Sequence, residues 1–163
     1  MRELVRHLKH LPGKHDQKSH GRRSSSAASG AGVRANDNKN VSESLRLKEE
    51  YGAQPKQCWY NSATLIAAIP GAEYVEGYFA VEMRPDFKFP IEHGWLEKDG
   101  EVLDVTLAED KGNYYAARRY TYDDMERLIT GRKELMLPIT PDRDSAMMEA
   151  RRLSHNEAFG IDI

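Results

Sequence analysis

Three side chains have the types and contexts of a nucleophile, a base and an acid. The only cysteine, Cys58, heads an apolar segment in Gln57-Cys58-Trp59-Tyr60-Asn61. A histidine follows in Glu92-His93-Gly94-Trp95, and an aspartate in Leu103-Asp104-Val105-Thr106. A thiol is mostly protonated at neutral pH and needs activation before it attacks a carbonyl. A neighbouring imidazole and a helix N-terminus both favour the thiolate. A carboxylate on the second imidazole nitrogen fixes the tautomer and stabilises the imidazolium. The resulting oxyanion needs donors. The backbone N–H of Cys58 is one candidate, and Gln54, Gln57 or the Trp95 indole could supply another. This chemistry needs no cofactor and no metal.

The elements that must position these groups can be read from pattern. Residues 58–69 read as a buried helix with Cys58, Ser62, Leu65 and Ile69 on one face, stopped by Pro70-Gly71. Lys56 and Gln57 are poor caps, so backbone N–H groups stay free beside the thiol. Strands are expected over Glu73–Glu82, Ile91–Lys98 and Glu101–Leu107, with Arg84-Pro85-Asp86 as a turn. Asp99-Gly100 is a strong two-residue hairpin signal. It pairs Lys98 with Glu101, sets Trp95 opposite Asp104 and His93 opposite Thr106, and puts all four on one face. His93 and Asp104 are then diagonal neighbours, about 7 Å apart at the backbone and within reach of each other. A slip of one residue would separate them.

Further along, Tyr120 closes another strand, and Thr121-Tyr122-Asp123-Asp124 has the spacing of a capping box. It opens a helix with Met125, Leu128 and Ile129 inward and Gly131 at its end. Leu135–Ile139 reads as a short strand. Thr140-Pro141 opens a last helix with Met147, Ala150 and Leu153 inward. Leu45, Leu47 and Tyr51 support a short first helix ending at Gly52. One helix, a run of antiparallel strands and later helices make an α+β pattern.

The chain has 163 residues, enough for one domain. No apolar run approaches the roughly 20 residues of a membrane span. A single cysteine excludes an internal disulfide and fits a reducing, cytoplasmic setting. The net charge of −2 hides an asymmetry. Residues 1–48 carry 11 Lys/Arg against 4 Asp/Glu, a balance of +7; residues 49–163 carry 13 against 22, a balance of −9. Residues 1–20 read as a basic arm with Leu4, Leu8 and Leu11 on one helical stripe. Residues 21–44 hold no Leu, Ile, Met or aromatic residue and read as a flexible linker. Residues 45–163 form the domain. The arm suits nucleic acid or another acidic surface, or rests on its own acidic domain.

The segments Cys58-Trp59-Tyr60-Asn61-Ser62-Ala63, Tyr74-Val75-Glu76-Gly77-Tyr78, His93-Gly94-Trp95-Leu96 and Leu103-Asp104-Val105-Thr106, with Tyr114-Tyr115-Ala116, resemble a group of small phage and bacterial proteins. These belong to the papain-like/transglutaminase-like cysteine superfamily. Their pattern is Cys-aromatic-x-Asn-Ala, Tyr-x-Glu-Gly-Tyr, His-Ala-Trp, Asp-Pro-Thr and Tyr-aromatic-Gly. The departures are Ser62, Gly94, Val105 and Ala116, and none falls on Cys58, His93 or Asp104. The resemblance covers about residues 55–140. It implies a Cys-bearing helix packed on an antiparallel sheet and a Cys58-His93-Asp104 triad, with Asn61 and Trp95 in support.

Leu11-Pro12-Gly13-Lys14-His15-Asp16-Gln17-Lys18-Ser19-His20-Gly21 is similar to a short motif of phage and prophage proteins. It implies a phage or prophage origin and a place in the host cytoplasm or with the virion. With His7 and His10 it offers four histidines, which suits a metal or a docking peptide.

The expected function is that of a thiol-dependent hydrolase or acyltransferase of peptidase or amidase type, acting on a protein, peptide or amide. The alternative is a non-catalytic interaction module, docking on a phage structural protein or nucleic acid through residues 1–48. Under that alternative each residue has an ordinary explanation: an inert buried cysteine, a hydrogen-bonded strand histidine and a strand-edge aspartate.

Overall fold

Two twelve-residue strands, Glu73–Arg84 and Phe87–Lys98, run antiparallel through the centre of the molecule. The computed structural model describes residues 33–130 and 137–161. In chain order the elements are β1 (Ala35–Asn36), α1 (Val41–Tyr51), α2 (Cys58–Leu65, extended by a 3-10 turn Ile66–Ala68), β2 (Glu73–Arg84), β3 (Phe87–Lys98), β4 (Glu101–Leu103), β5 (Gly112–Tyr120), α3 (Tyr122–Thr130) and α4 (Ser145–Phe159). The strands form one curled antiparallel sheet in the order β1-β5-β2-β3-β4. The architecture is α+β.

The β3–β4 turn follows from its residues. Asp99 and Gly100 have φ of 52° and 83°, both left-handed, as a tight two-residue hairpin needs. Lys98 pairs with Glu101, Glu97 with Val102 and Leu96 with Leu103, in the expected register. β4 ends at Leu103 instead of Leu107. The reason is Asp104 itself: its Oδ1 accepts the N–H groups of Thr106 and Leu107, both at 3.0 Å, and turns the chain out of the ladder.

Alternation along β2 and β3 gives each face its own core. Tyr74, Leu96 and Leu103 pack with Leu47 of α1, Ala63 and Leu65 of α2, and Met125 of α3. Farther along the same side of the sheet, α4 covers Ala80 and Tyr115 through Ala150 and Leu153. On the other face Val75, Phe79, Trp95, Val102 and Tyr114 close a second cluster. Its three large aromatics are fully buried, each contributing about 1.5–3 kcal/mol on removal from water.

Several boundaries differ from expectation. The stretch expected as linker up to residue 44 is structured from Ala35. β1 pairs with β5, and Asn38 and Asn40 exchange backbone hydrogen bonds with Val102. Asn40 caps α1 by accepting the Glu43 N–H, so that helix starts at Val41. The polar residues there bond to the sheet edge and need no apolar surface of their own. Residues 137–139 form no strand, and the last helix opens at Asp144, whose carboxylate accepts from Ala146 and Met147. β5 is much longer than its Tyr120 end. The Thr121/Asp124 capping box forms reciprocally, as its spacing predicts. The basic helix, the first half of the linker, residues 131–136, and the Ile129 side chain lie outside what is described.

Candidate active site

Cys58 is the first residue of α2 and is half-buried. Gln57 precedes it with φ −119° and ψ 44° and makes no side-chain cap. The first intrahelical bond runs from Asn61 N–H to Gln57 O. The amides of Cys58, Trp59 and Tyr60 therefore precede the helix's own ladder and point out of its positive end.

His93 and Asp104 are both buried, and His93 Nε2 lies 2.8 Å from Asp104 Oδ2. This is the contact that the hairpin register predicts, although Asp104 itself has left the strand. With Nε2 committed, Nδ1 is the ring nitrogen left for the thiol. The Cys58 thiol is the ring's other side-chain hydrogen-bonding partner. The ring is walled by aromatics, lying nearly parallel to Trp95 (centroids 6.2 Å apart, 16° between planes) and against Phe79 at 5.9 Å. Burial alone would push the imidazole down. The Asp104 carboxylate, by charge and by hydrogen bond, and the Cys58 thiol outweigh it and leave His93 raised to about 10. For Asp104, burial would raise the carboxyl. The imidazolium beside it, with Lys39 and the Leu107 N–H, holds it well below the usual carboxylate range instead.

Asp104 is held from every side. Besides His93 and the two backbone amides, Oδ2 accepts from Tyr114 OH at 2.9 Å, and its own N–H donates to Ser44 Oγ at 3.0 Å. Burial and the Asp104 charge raise Tyr114, so its hydroxyl stays a donor. Lys39 Nζ bonds the carbonyls of Leu107 and, at 2.8 Å, Asp110, and lies 5.6 Å over both the Phe79 and Tyr114 rings. It pins the loop that presents Asp104. The sequence marks no site role for Lys39 or Ser44, and gives Tyr114 only as part of the Tyr114-Tyr115-Ala116 segment. Lys39 and Ser44 sit in the expected linker, where no local pattern marks them; Tyr114 sits in an alternating strand that could have been found.

Compared with models of known families, with curated proteins and with solved structures, the chain matches none.

The supporting residues divide. Asn61 is a clamp: its Nδ2 donates to Gln54 O (2.7 Å) and Thr106 Oγ1 (2.9 Å), and its Oδ1 accepts from Gln54 N (3.1 Å). It ties the loop before Cys58 to the loop after Asp104. The expected oxyanion donors are otherwise engaged. Gln54 Nε2 turns back to Gly52 O at 2.7 Å, and the Trp95 indole, fully buried, donates to Glu97 Oε1 at 3.1 Å. Gln57 is exposed, with no bond from its side chain to the helix. A different indole has a free donor. Trp59 Nε1 is buried without a partner, and Trp59 packs on Gly94, where an added Cβ would meet its Cδ1 at 2.5 Å. That contact explains glycine at a position where the resembling pattern has alanine.

Among the described residues, no group of three or more His, Cys, Asp or Glu could hold a metal. His7, His10, His15 and His20 lie outside the described residues. No described helix is long and apolar enough to cross a membrane.

Proposed function

We propose that this protein is a thiol-dependent acyl-transfer enzyme of papain-like/transglutaminase-like type, with Cys58 as nucleophile, His93 as base and Asp104 as its orienting acid. The observation that carries this reading is the buried 2.8 Å His93–Asp104 contact beside a half-buried thiol at an uncapped helix end. In the reaction, the thiol proton already rests on His93, which its partners hold as an imidazolium, and the Cys58 thiolate attacks the carbonyl of a peptide or amide. The oxyanion is received by the Cys58 amide at the open helix end. His93 returns the proton to the leaving amine, and a thioester remains on Cys58. Water then gives hydrolysis, and an amine gives transfer. The engagement of Gln54 and Trp95 elsewhere favours a second reading, a domain retained as a scaffold for interaction through its basic arm.

Alkylation of Cys58 against pH separates the two. At pH 6 wild-type Cys58 is expected to label at least about tenfold faster than Cys58 in His93→Gln, because an adjacent imidazolium keeps the sulfur reactive in acid. Equal rates, with both proteins folded by circular dichroism, would retire the enzyme reading.

A further inference from the structure

Among the described residues, five of the nine exposed large apolar side chains gather at the far end of the central hairpin. Phe87 and Phe159 are exposed, as are Met83, Phe89 and Ile161 around them. Between the Pro85-Asp86 turn and the end of α4 lies a groove of about 710 Å³, with Pro85, Phe87, Ala158 and Phe159 on its walls and Glu82 and Asp86 on its rim. Phe87 is six residues along β3 from His93, about 20 Å at strand rise. The groove is therefore separate from the candidate active site. Contiguous exposed apolar surface of this kind marks a contact site.

We infer that this groove is the seat of the chain's own basic arm, with Leu4, Leu8 and Leu11 entering against Phe87 and Phe159. Three observations favour this occupant. The first is position. Val33, the first described residue, packs with Tyr115 and Ala150, and the Tyr115 hydroxyl donates to Glu157, which lines the groove. By the β1–β5 register the chain leaves the described domain level with Ala117, five residues or about 16 Å along β5 from Gly112 at the groove end. The 21 residues from 12 to 32 can span at most about 3.3–3.6 Å each, some 70 Å, which is ample. The second is charge. Residues 1–32 carry seven Lys/Arg against two Asp/Glu. On the rim Lys88 is matched by Glu157 and Arg84 lies over the Phe87 ring, while Glu82 and Asp86 have no cationic partner among the described residues. The third is pattern. Leu4, Leu8 and Leu11 recur at helical spacing and, with Val5, are the large aliphatic side chains of that arm, so they have the stripe form that fits an apolar groove. Tethering makes the contact intramolecular, with an effective concentration on the order of millimolar.

Zero-length carbodiimide crosslinking of the full chain tests this. Equal amounts of ¹⁵N-labelled and unlabelled protein are mixed, crosslinked and read by mass spectrometry. The expected products are crosslinks of Lys9 or Lys14 to Glu82 or Asp86 within single isotopic chains. They should fall at least fivefold in Leu4→Glu/Leu8→Glu and in Phe159→Asp, both of which change exposed or arm positions and should melt as wild type. Mixed-isotope crosslinks would assign the groove to a second copy and overturn the inference. Its failure would also follow from no crosslinks, or from crosslinks that survive both substitutions.

Discussion

Replacing Asp104 by asparagine keeps the side chain's shape and changes what it offers His93. The amide has two orientations. If its oxygen takes the place of Oδ1, it still accepts the Thr106 and Leu107 amides, and its NH2 faces His93 and Tyr114. The reverse orientation sets NH2 against two N–H donors, so the first is expected. The NH2 then donates to Nε2 and drives the imidazole proton to Nδ1, where a thiol-activating base needs a lone pair. Tyr114 loses its acceptor, and Lys39 loses its nearest counter-charge. A lost charge-assisted hydrogen bond is worth roughly 1.5–3 kcal/mol, and breaking a buried pair costs up to about 3–5. With two backbone bonds retained, Asp104→Asn should destabilise the fold by about 2–4 kcal/mol, lowering Tm by roughly 10 °C for a domain of this size. Two-bond ¹H–¹⁵N imidazole spectra should show His93 falling from about 10 to near or below its ordinary value, because burial persists while the carboxylate is gone. Once a substrate is in hand, turnover should fall about 10⁴-fold, the size of the tautomer effect in Ser-His-Asp enzymes. An unchanged His93 titration and Tm would refute the pairing and the mechanism built on it.

Stability should also follow pH. A raised His93 stabilises the fold fully below its unfolded value near 6.5 and loses that contribution as pH rises toward about 10, while a depressed Asp104 contributes fully above about 4 and loses it on acidification. Tm should therefore hold between about pH 4 and 6.5 and fall from there to pH 10, and His93→Gln should flatten that alkaline fall. Gly94→Ala must push Trp59 off the strand, and overpacking of that kind costs about 1–3 kcal/mol by denaturant unfolding, with altered Cys58 alkylation. Buried Glu76 accepts from Tyr74 OH and from the amides of Ile139 and Thr140. Glu76→Gln turns an NH2 on one of these donors, so amide exchange at 139–140 should accelerate and stability drop by about 1–3 kcal/mol.

The hairpin was the legible part. Asp99-Gly100 dictates its own turn, the turn dictates the register, and the register brings His93 and Asp104 to one place without any knowledge of the rest. The head of α2 was legible for the opposite reason: nothing before Cys58 can cap it. What escaped was non-local. Asn38, Lys39 and Asn40 look like linker because short polar residues carry no periodicity, yet each is ordered by bonds to the β4 region or the loop after it, some sixty residues away. The end of β4 is not written in the alternation, because Asp104 sits in strand phase facing His93 while its carboxylate captures its own backbone. Residue type marks a donor but cannot say that Glu97 takes the Trp95 indole while Trp59 Nε1 has no partner.

A buried histidine–aspartate pair is a weak device for stability alone, since packed apolar residues of equal volume do as well or better. Here the acid is over-determined: four donors reach Asp104, a lysine stands behind it, and a serine holds its backbone. The base has that acid on one side and the Cys58 thiol on the other. A pair kept for structure has no need of a thiol as its second partner. A fixed carboxylate on one nitrogen with a thiol at the ring's other side is the arrangement that proton transfer between sulfur and nitrogen requires. It arises where the half-buried cysteine and the unpartnered donors of α2 meet.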